Sequence, residues 1–275
     1  MGRQQGQLVL AFPRRGGKRR GAGRKRKLRW SSGRNEAREK FTGWTAFHIT
    51  LRVTPDIGPL RRPAAYHAIR EAMEVVLARP NFKIVHVSLE TDHVHLIVEA
   101  ADERALGTGM RAFQISAARR LNALVADGRC GQVFVARYFP RKLGSPTQAR
   151  NAIRYVLCNW RHHGEDESSA EVRYLAVDYY SSGPSFSGWS ELEHTPQPFD
   201  RHEGRYKPLP VASPTTWLLR VGWRKAGPIS LFDVPGRSSA QSNSRRGPAM
   251  IATVGPRASR RASDVPGGAV RRFNA

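Results

Sequence analysis

The chain has 275 residues, enough for one or two domains with a proper core, and its 46 Lys/Arg against 22 Asp/Glu give a formal net charge of +24. The excess is uneven: residues 1–42 hold +12, residues 236–275 hold +7, and the residues between them hold only +5. Two basic arms on a mildly basic centre point to a polyanion, nucleic acid ahead of lipid headgroups, and no apolar run approaches the roughly 20 residues of a membrane span.

In chain order, Leu8–Phe12 is too short for a signal-peptide core and most basic residues follow it, so the expected location is cytoplasmic. Residues 1–42 read as a disordered basic DNA-binding arm. Lys18, Arg19, Arg20, Arg24, Lys25, Arg26 and Lys27 alternate with glycines that bury nothing, and suit phosphates or a minor groove. Phe47, Ile49, Leu51 and Val53 alternate with polar residues, which predicts a strand with one buried face. Pro63 opens a helix with the stripe Ile69, Met73, Val76 and Leu77. Strands follow near Phe82–Glu90 and His93–Ala100, joined by a turn at Thr91-Asp92.

A long helix carries Leu106, Met110, Phe113, Ala117, Leu121 and Leu124 at spacings of three and four, ended by Asp127-Gly128. Val133–Phe139 reads as a fourth strand. Ser145-Pro146-Thr147-Gln148 combines a capping box with proline at the first helical position, and Gly164 suits the C-cap of that last helix. The succession predicts an α+β, ferredoxin-like antiparallel sheet with helices on one face and an added C-terminal helix. Its expected span is residues 43–165. Residues 166–235 form an extension that Trp189, Trp217, Leu218, Leu219, Val221 and Trp223 mark as packed, and residues 236–275 form a disordered basic tail. Cys130 and Cys158, the only cysteines, fit neither a metal spacing nor a disulfide framework.

Chemistry concentrates in two places. His93 and His95 share one face of a strand, opposite Val94, Leu96 and Val98, so two imidazoles can chelate one divalent cation. A solvated pair on a sheet face is the plain alternative. On the last helix, Ile153, Val156, Leu157 and Trp160 form the apolar stripe, and Tyr155 lies roughly 160° from Ile153. Asn151 and Asn159 share its face. A surface tyrosine, or one packed under the C-terminal extension, is the alternative there.

Together these stretches resemble a known family. Thr91-Asp92-His93-Val94-His95-Leu96-Ile97-Val98 is similar to the histidine–hydrophobe–histidine motif of HUH single-tyrosine transposases, and Ile153-Arg154-Tyr155-Val156-Leu157-Cys158-Asn159-Trp160 to their tyrosine helix. Among these, the chain resembles the REP-associated tyrosine transposases, which often carry a glycine- and arginine-rich N-terminal segment like residues 16–27. The resemblance spans about residues 44–164 and extends more loosely to Ser181–Trp189 and Thr216–Arg220. It implies that His93 and His95 hold Mg²⁺ or Mn²⁺ against the scissile phosphate of single-stranded or hairpin DNA. It implies that Tyr155 forms a 5′-phosphotyrosine, which a later 3′-hydroxyl resolves. It also implies a third ligand about one turn beyond the nucleophile, where Asn159 sits. Glu99 competes from the strand face of the histidines.

Arg111, Arg119 and Arg120 on the long helix are candidates for DNA-backbone contact or for a solvated face. His48 comes near the histidines if the first and third strands are neighbours. Three readings are carried forward: a metal-dependent single-tyrosine DNA transposase, a catalytically silent nucleic-acid-binding protein with the same fold, and a metal-dependent phosphodiesterase without a covalent step. Monomer and homodimer are equally open.

Overall fold

The computed structural model describes residues 40–125, 128–165, 177–192 and 206–236. The basic arm with Lys18, Arg19, Arg20, Arg24, Lys25, Arg26 and Lys27, the basic tail and Asp127 lie outside the described residues. The elements are β1 (Thr42–Arg52), α1 (Pro63–Leu77), β2 (Phe82–Leu89), β3 (His93–Asp102), α2 (Glu103–Ala123), β4 (Arg141–Leu143), α3 (Pro146–His162) and a short α4 (Trp217–Arg220). The sheet order is β2-β3-β1-β4, with every neighbouring pair antiparallel. This is the expected ferredoxin-like arrangement, a mixed α+β fold.

The alternation of apolar residues decides what each sheet face meets. Phe47, Ile49, Leu51, Val94, Leu96 and Val98 are buried against Ile69 and Met73 of α1 and Met110 and Phe113 of α2. The opposite face brings Ala46 and Ile97 against Ile153, Val156 and Leu157 of α3. The sheet is therefore a middle layer, and α3 covers the face that carries the histidines. Local chemistry sets where the helices begin. Asp102 caps α2 by accepting from the Ala105 amide, and Ser145 caps α3 by accepting from the Gln148 amide, with Pro146 next.

One expected strand lies elsewhere. Val133–Phe139 runs beside β1 but pairs with it only through the bridge of Phe134 to Val53, and β4 forms later, at Arg141–Leu143. Val133, Phe134 and Tyr138 satisfy their apolar character by packing on the α1/α2 core without a ladder, while Val135 and Phe139 are exposed. Pro140, which has no amide to donate, precedes the paired residues.

The extension of residues 166–235 is described for 177–192 and 206–236, which wrap α3 and the outer edge of β2. Leu89 donates to Tyr180 O, Ser182 to Val87 O and Ala212 to Ile84 O, so the β2 edge is covered rather than left open. Trp189, Leu219, Trp223 and Ile229 are buried against α3, while Trp217 and Val221 stay half-exposed. Arg61 clamps the start of this wrap by a two-pronged contact with buried Asp178 at 2.8 and 3.0 Å. Arg150 donates to Pro228 O and Arg161 to Leu231 O, which fixes the orientation of α3 over the sheet.

Candidate active site

Because β1 and β3 are adjacent, Thr50 stands opposite His95 and Arg52 opposite His93. On the other side of β3, Ser88 stands opposite His95, and the Glu90 amide bonds to His93 O. The two histidines are thus flanked on both sides and largely buried. Their Nε2 atoms face each other at 2.9 Å. Their outer nitrogens are held from behind. His93 Nδ1 lies 2.6 Å from Asp92 Oδ1, and His95 Nδ1 lies 3.1 Å from Thr50 Oγ1 and 3.3 Å from His48 Nε2. Histidines that ligate a metal use one ring nitrogen and anchor the other in this way.

Burial shapes the protonation of the group. Burial, aided by the Arg141 charge, pushes His48 down to about 4. Burial and then the neighbouring His93, His48 and His163 push His95 down to about 2. Both rings are neutral near pH 7, the form that offers a lone pair.

Helix α3 crosses this strand face with Tyr155 toward it. The Tyr155 ring is 5.0 Å from that of His95 and 5.7 Å from that of His48, centroid to centroid. Two turns on, the His163 ring is 5.8 Å from that of His93. Asn159 lies midway between these two contacts on the same helical face. It is fully buried, and neither its amide oxygen nor its amide nitrogen has a hydrogen-bond partner. An orphaned buried amide is costly unless something absent from the bare chain completes it. Among the described residues no three His, Cys, Asp or Glu side chains converge on a metal position. Two imidazole nitrogens, from His93 and His95, and the amide oxygen of Asn159 would suit a divalent cation as donors. Glu99, the competing ligand, is committed elsewhere: its oxygens accept from the Thr215 and Thr216 amides and the Thr216 hydroxyl at 2.5, 2.9 and 2.6 Å.

The Tyr155 phenol is pushed above its usual value by burial and by the charge of Glu90. Glu90 has no counterpart in the sequence reading. It is buried, bonds Ser88 through Oε1, leaves Oε2 unpartnered, and burial pushes its carboxyl up. Its position three residues before His93, opposite it across a tight turn, is the signal that could have found it. His163, the C-cap residue that ends α3, also reaches His93. Arg111, Arg119 and Arg120 are not brought to this site. They sit on α2, which packs on the other sheet face, and Arg120 is held by Glu71 and Ser116.

Comparison with known proteins adds a family. Residues 47–157 match the IS200-like transposase family. No curated protein matches the chain. Among solved structures, a REP-associated tyrosine transposase bound to a REP hairpin is 14% identical, with 66% of this chain and 92% of that chain covered and a TM-score of 0.41. A candidate transposase from Deinococcus radiodurans R1 is 15% identical, with 44% of this chain and 91% of that one covered and a TM-score of 0.31. Among the described residues no helix is long and apolar enough to cross a membrane. The stretch that matches the IS200-like transposase family takes in His48, His93, His95 and Tyr155 together.

Proposed function

We propose that this protein cleaves and rejoins single-stranded DNA, including strands flanking a hairpin, with Tyr155 as nucleophile, as the REP-associated members of the superfamily are expected to do. The observation that carries the reading is the placement of the Tyr155 ring 5.0 Å from that of His95, across from a histidine pair whose Nε2 atoms converge. The Tyr155 oxygen attacks the scissile phosphorus, a P–O bond to Tyr155 forms, and the P–O3′ bond breaks. The phenol gives up its proton and the departing 3′ oxygen takes one up, leaving a 5′-phosphotyrosine and a free 3′-hydroxyl. Attack by another 3′-hydroxyl reverses the step. The ester retains the energy of the original linkage, so joining needs no nucleotide cofactor.

His93, His95 and Asn159 would hold Mg²⁺ or Mn²⁺, which supplies Lewis acidity toward the phosphate oxygens. The imidazoles tilt the preference toward Mn²⁺ and the amide oxygen admits Mg²⁺. The chain's own residues do the rest. Asp92, Thr50 and His48 orient the two imidazoles, and the wrapped extension holds α3 so that Tyr155 serves the histidines of its own chain. The basic arm of residues 1–42, with Lys18, Arg19, Arg20, Arg24, Lys25, Arg26 and Lys27, and the tail of residues 236–275 add sequence-independent grip on DNA in the cytoplasm.

The test is a covalent protein–DNA adduct, resolved on a denaturing gel, with a hairpin oligonucleotide carrying single-stranded flanks and Mn²⁺. Tyr155→Phe is expected to abolish the adduct and keep DNA binding. Cleavage that persists in Tyr155→Phe would point instead to a phosphodiesterase. Binding indifferent to EDTA, with no adduct from the unaltered chain, would point to a silent binding protein.

A further inference from the structure

A cavity of about 550 Å³ opens beside Tyr155 on the side away from His93, between β4 and the first turns of α3. Its size lies within the roughly 300–1,000 Å³ typical of small-ligand pockets. One wall is strand, with Arg141 and Leu143. The other is helix, with Asn151, Ala152 and Arg154. Pro235 closes one side, and His95 and Tyr155 stand at the inner end.

The arginines of this slot differ from their neighbours. Arg150 is tied to Pro228 O and Asp233, Arg61 to Asp178 and Arg120 to Glu71. Neither Arg141 nor Arg154 has an ion pair or hydrogen bond among the described residues, and no acidic residue lines the slot. The Nε–H of Arg154 is buried with no acceptor, a costly state that a bound anion relieves. The two cations approach from opposite walls. Arg141 pairs with His48 across the sheet, and Arg154 directly precedes Tyr155. Leu143, Ala152 and Pro235 offer an apolar surface between them. Asn151 is exposed there, one turn before Tyr155, and its amide oxygen meets only the Arg150 guanidinium, at 3.5 Å.

Taking Tyr155 as the nucleophile toward single-stranded DNA, we propose that this slot binds one nucleotide next to the scissile phosphate. Arg141 and Arg154 hold its flanking phosphates from the two walls, and the base lies on the apolar surface with its edge at Asn151. An asparagine amide matches adenine through two hydrogen bonds, so adenine is the preferred base.

Two measurements test this. The first is anisotropy of a labelled single-stranded oligonucleotide, in EDTA, as a function of NaCl. Each single-strand phosphate contact contributes about 0.7 to the slope of log K against log salt. The folded double variant Arg141→Gln/Arg154→Gln is expected to lose about 1.4 of that slope, and the Arg→Lys pair to restore most of it. An unchanged slope in the glutamine variant, with its melting temperature intact, overturns the phosphate assignment. Should the double variant not fold, the single substitution at exposed Arg141 is expected to lose about 0.7, and an unchanged slope there overturns it equally.

The second is sequencing of the covalent adducts formed from a hairpin with randomised flanks. One adenine-favouring position is expected with the unaltered chain, flattened in Asn151→Ala. A preference that survives Asn151→Ala overturns the base contact. Failure of the unaltered chain to form any adduct would sink the nucleophile reading instead, while the salt slope would still report whether the slot holds DNA.

Discussion

The Nε2 atoms of His93 and His95 face one another at 2.9 Å, and each ring is braced at its other nitrogen by a neighbour outside the pair. The bracing of His95 comes from β1, through His48 and Thr50. That of His93 comes from the turn residue Asp92, which Arg52 in turn contacts at 3.1 Å. Loss of such outer partners typically weakens metal binding about 10–100-fold. His48→Ala and Asp92→Ala are each expected to weaken Mn²⁺ binding by that order in calorimetric titration. Unaltered Mn²⁺ affinity in both His48→Ala and Asp92→Ala would refute the bracing role.

Asn159 and Glu99 make opposite predictions. Asn159 is buried with both polar atoms unpartnered, whereas the Glu99 carboxylate already accepts three hydrogen bonds that cap α4. Asn159→Ala is expected to weaken Mn²⁺ binding at least tenfold with little loss of stability. Glu99→Ala is expected to leave Mn²⁺ binding unchanged and to cost about 1–3 kcal/mol, because the Thr215 and Thr216 amides lose their acceptor. Parallel calorimetry and chemical denaturation of the two variants separate these outcomes, and the reverse pattern would exchange the two roles.

The sequence reading succeeds where period and spacing report on burial. The alternation in β3 is strict, so the faces of Val94 and His95 are readable. The stripe Ile153, Val156 and Leu157 sets Tyr155 apart from the apolar residues of its helix, and its ring lies 5.0 Å from that of His95, over the same sheet face that the stripe meets. The reading fails where contacts are distant in the chain. Segment 133–139 has strand-like alternation because it packs on a core, whereas β4 is only three residues long and mostly exposed, too short to show a period. Glu90 and His163 carry no periodic signal; each reaches His93 through the register of a turn or the length of a helix. The wrap of 177–192 and 206–236 uses short helical turns and backbone bonds to strand edges, which leave no pattern in composition.

The close approach of α2 to β2 rests on Gly109. A Cβ built there would lie 2.2 Å from Cγ of Phe82, whose ring is fully buried. Helix propensity favours alanine by about 1 kcal/mol, but a ring packed on all sides cannot yield without shifting the sheet. Gly109→Ala is therefore expected to destabilise the fold by about 1–3 kcal/mol net of that gain, read as a lower denaturation midpoint with an unchanged slope. An equal or higher midpoint would show that Phe82 has room to move.

Acid should weaken the fold through His86. This ring on β2 is buried against Phe186, 5.4 Å between centroids, with Ser182 Oγ 3.5 Å from Nδ1. Burial pushes it down to about 4 from the ordinary 6.5. The folded chain thus binds fewer protons here than the unfolded chain between those values, so stability rises with pH across that window and is level above it. At pH 4.5 the loss relative to pH 7.5 is on the order of 2–3 kcal/mol from this ring. Glu90, whose carboxyl is pushed up, works in the opposite direction, but it is common to the unaltered chain and a His86→Gln variant. Comparing the two proteins by urea denaturation from pH 4.5 to 7.5 isolates the histidine. The His86→Gln curve is expected to be flatter by that amount, with any packing cost appearing as a constant offset. Curves that run parallel across the window would show that His86 can take up its proton without opening the sheet.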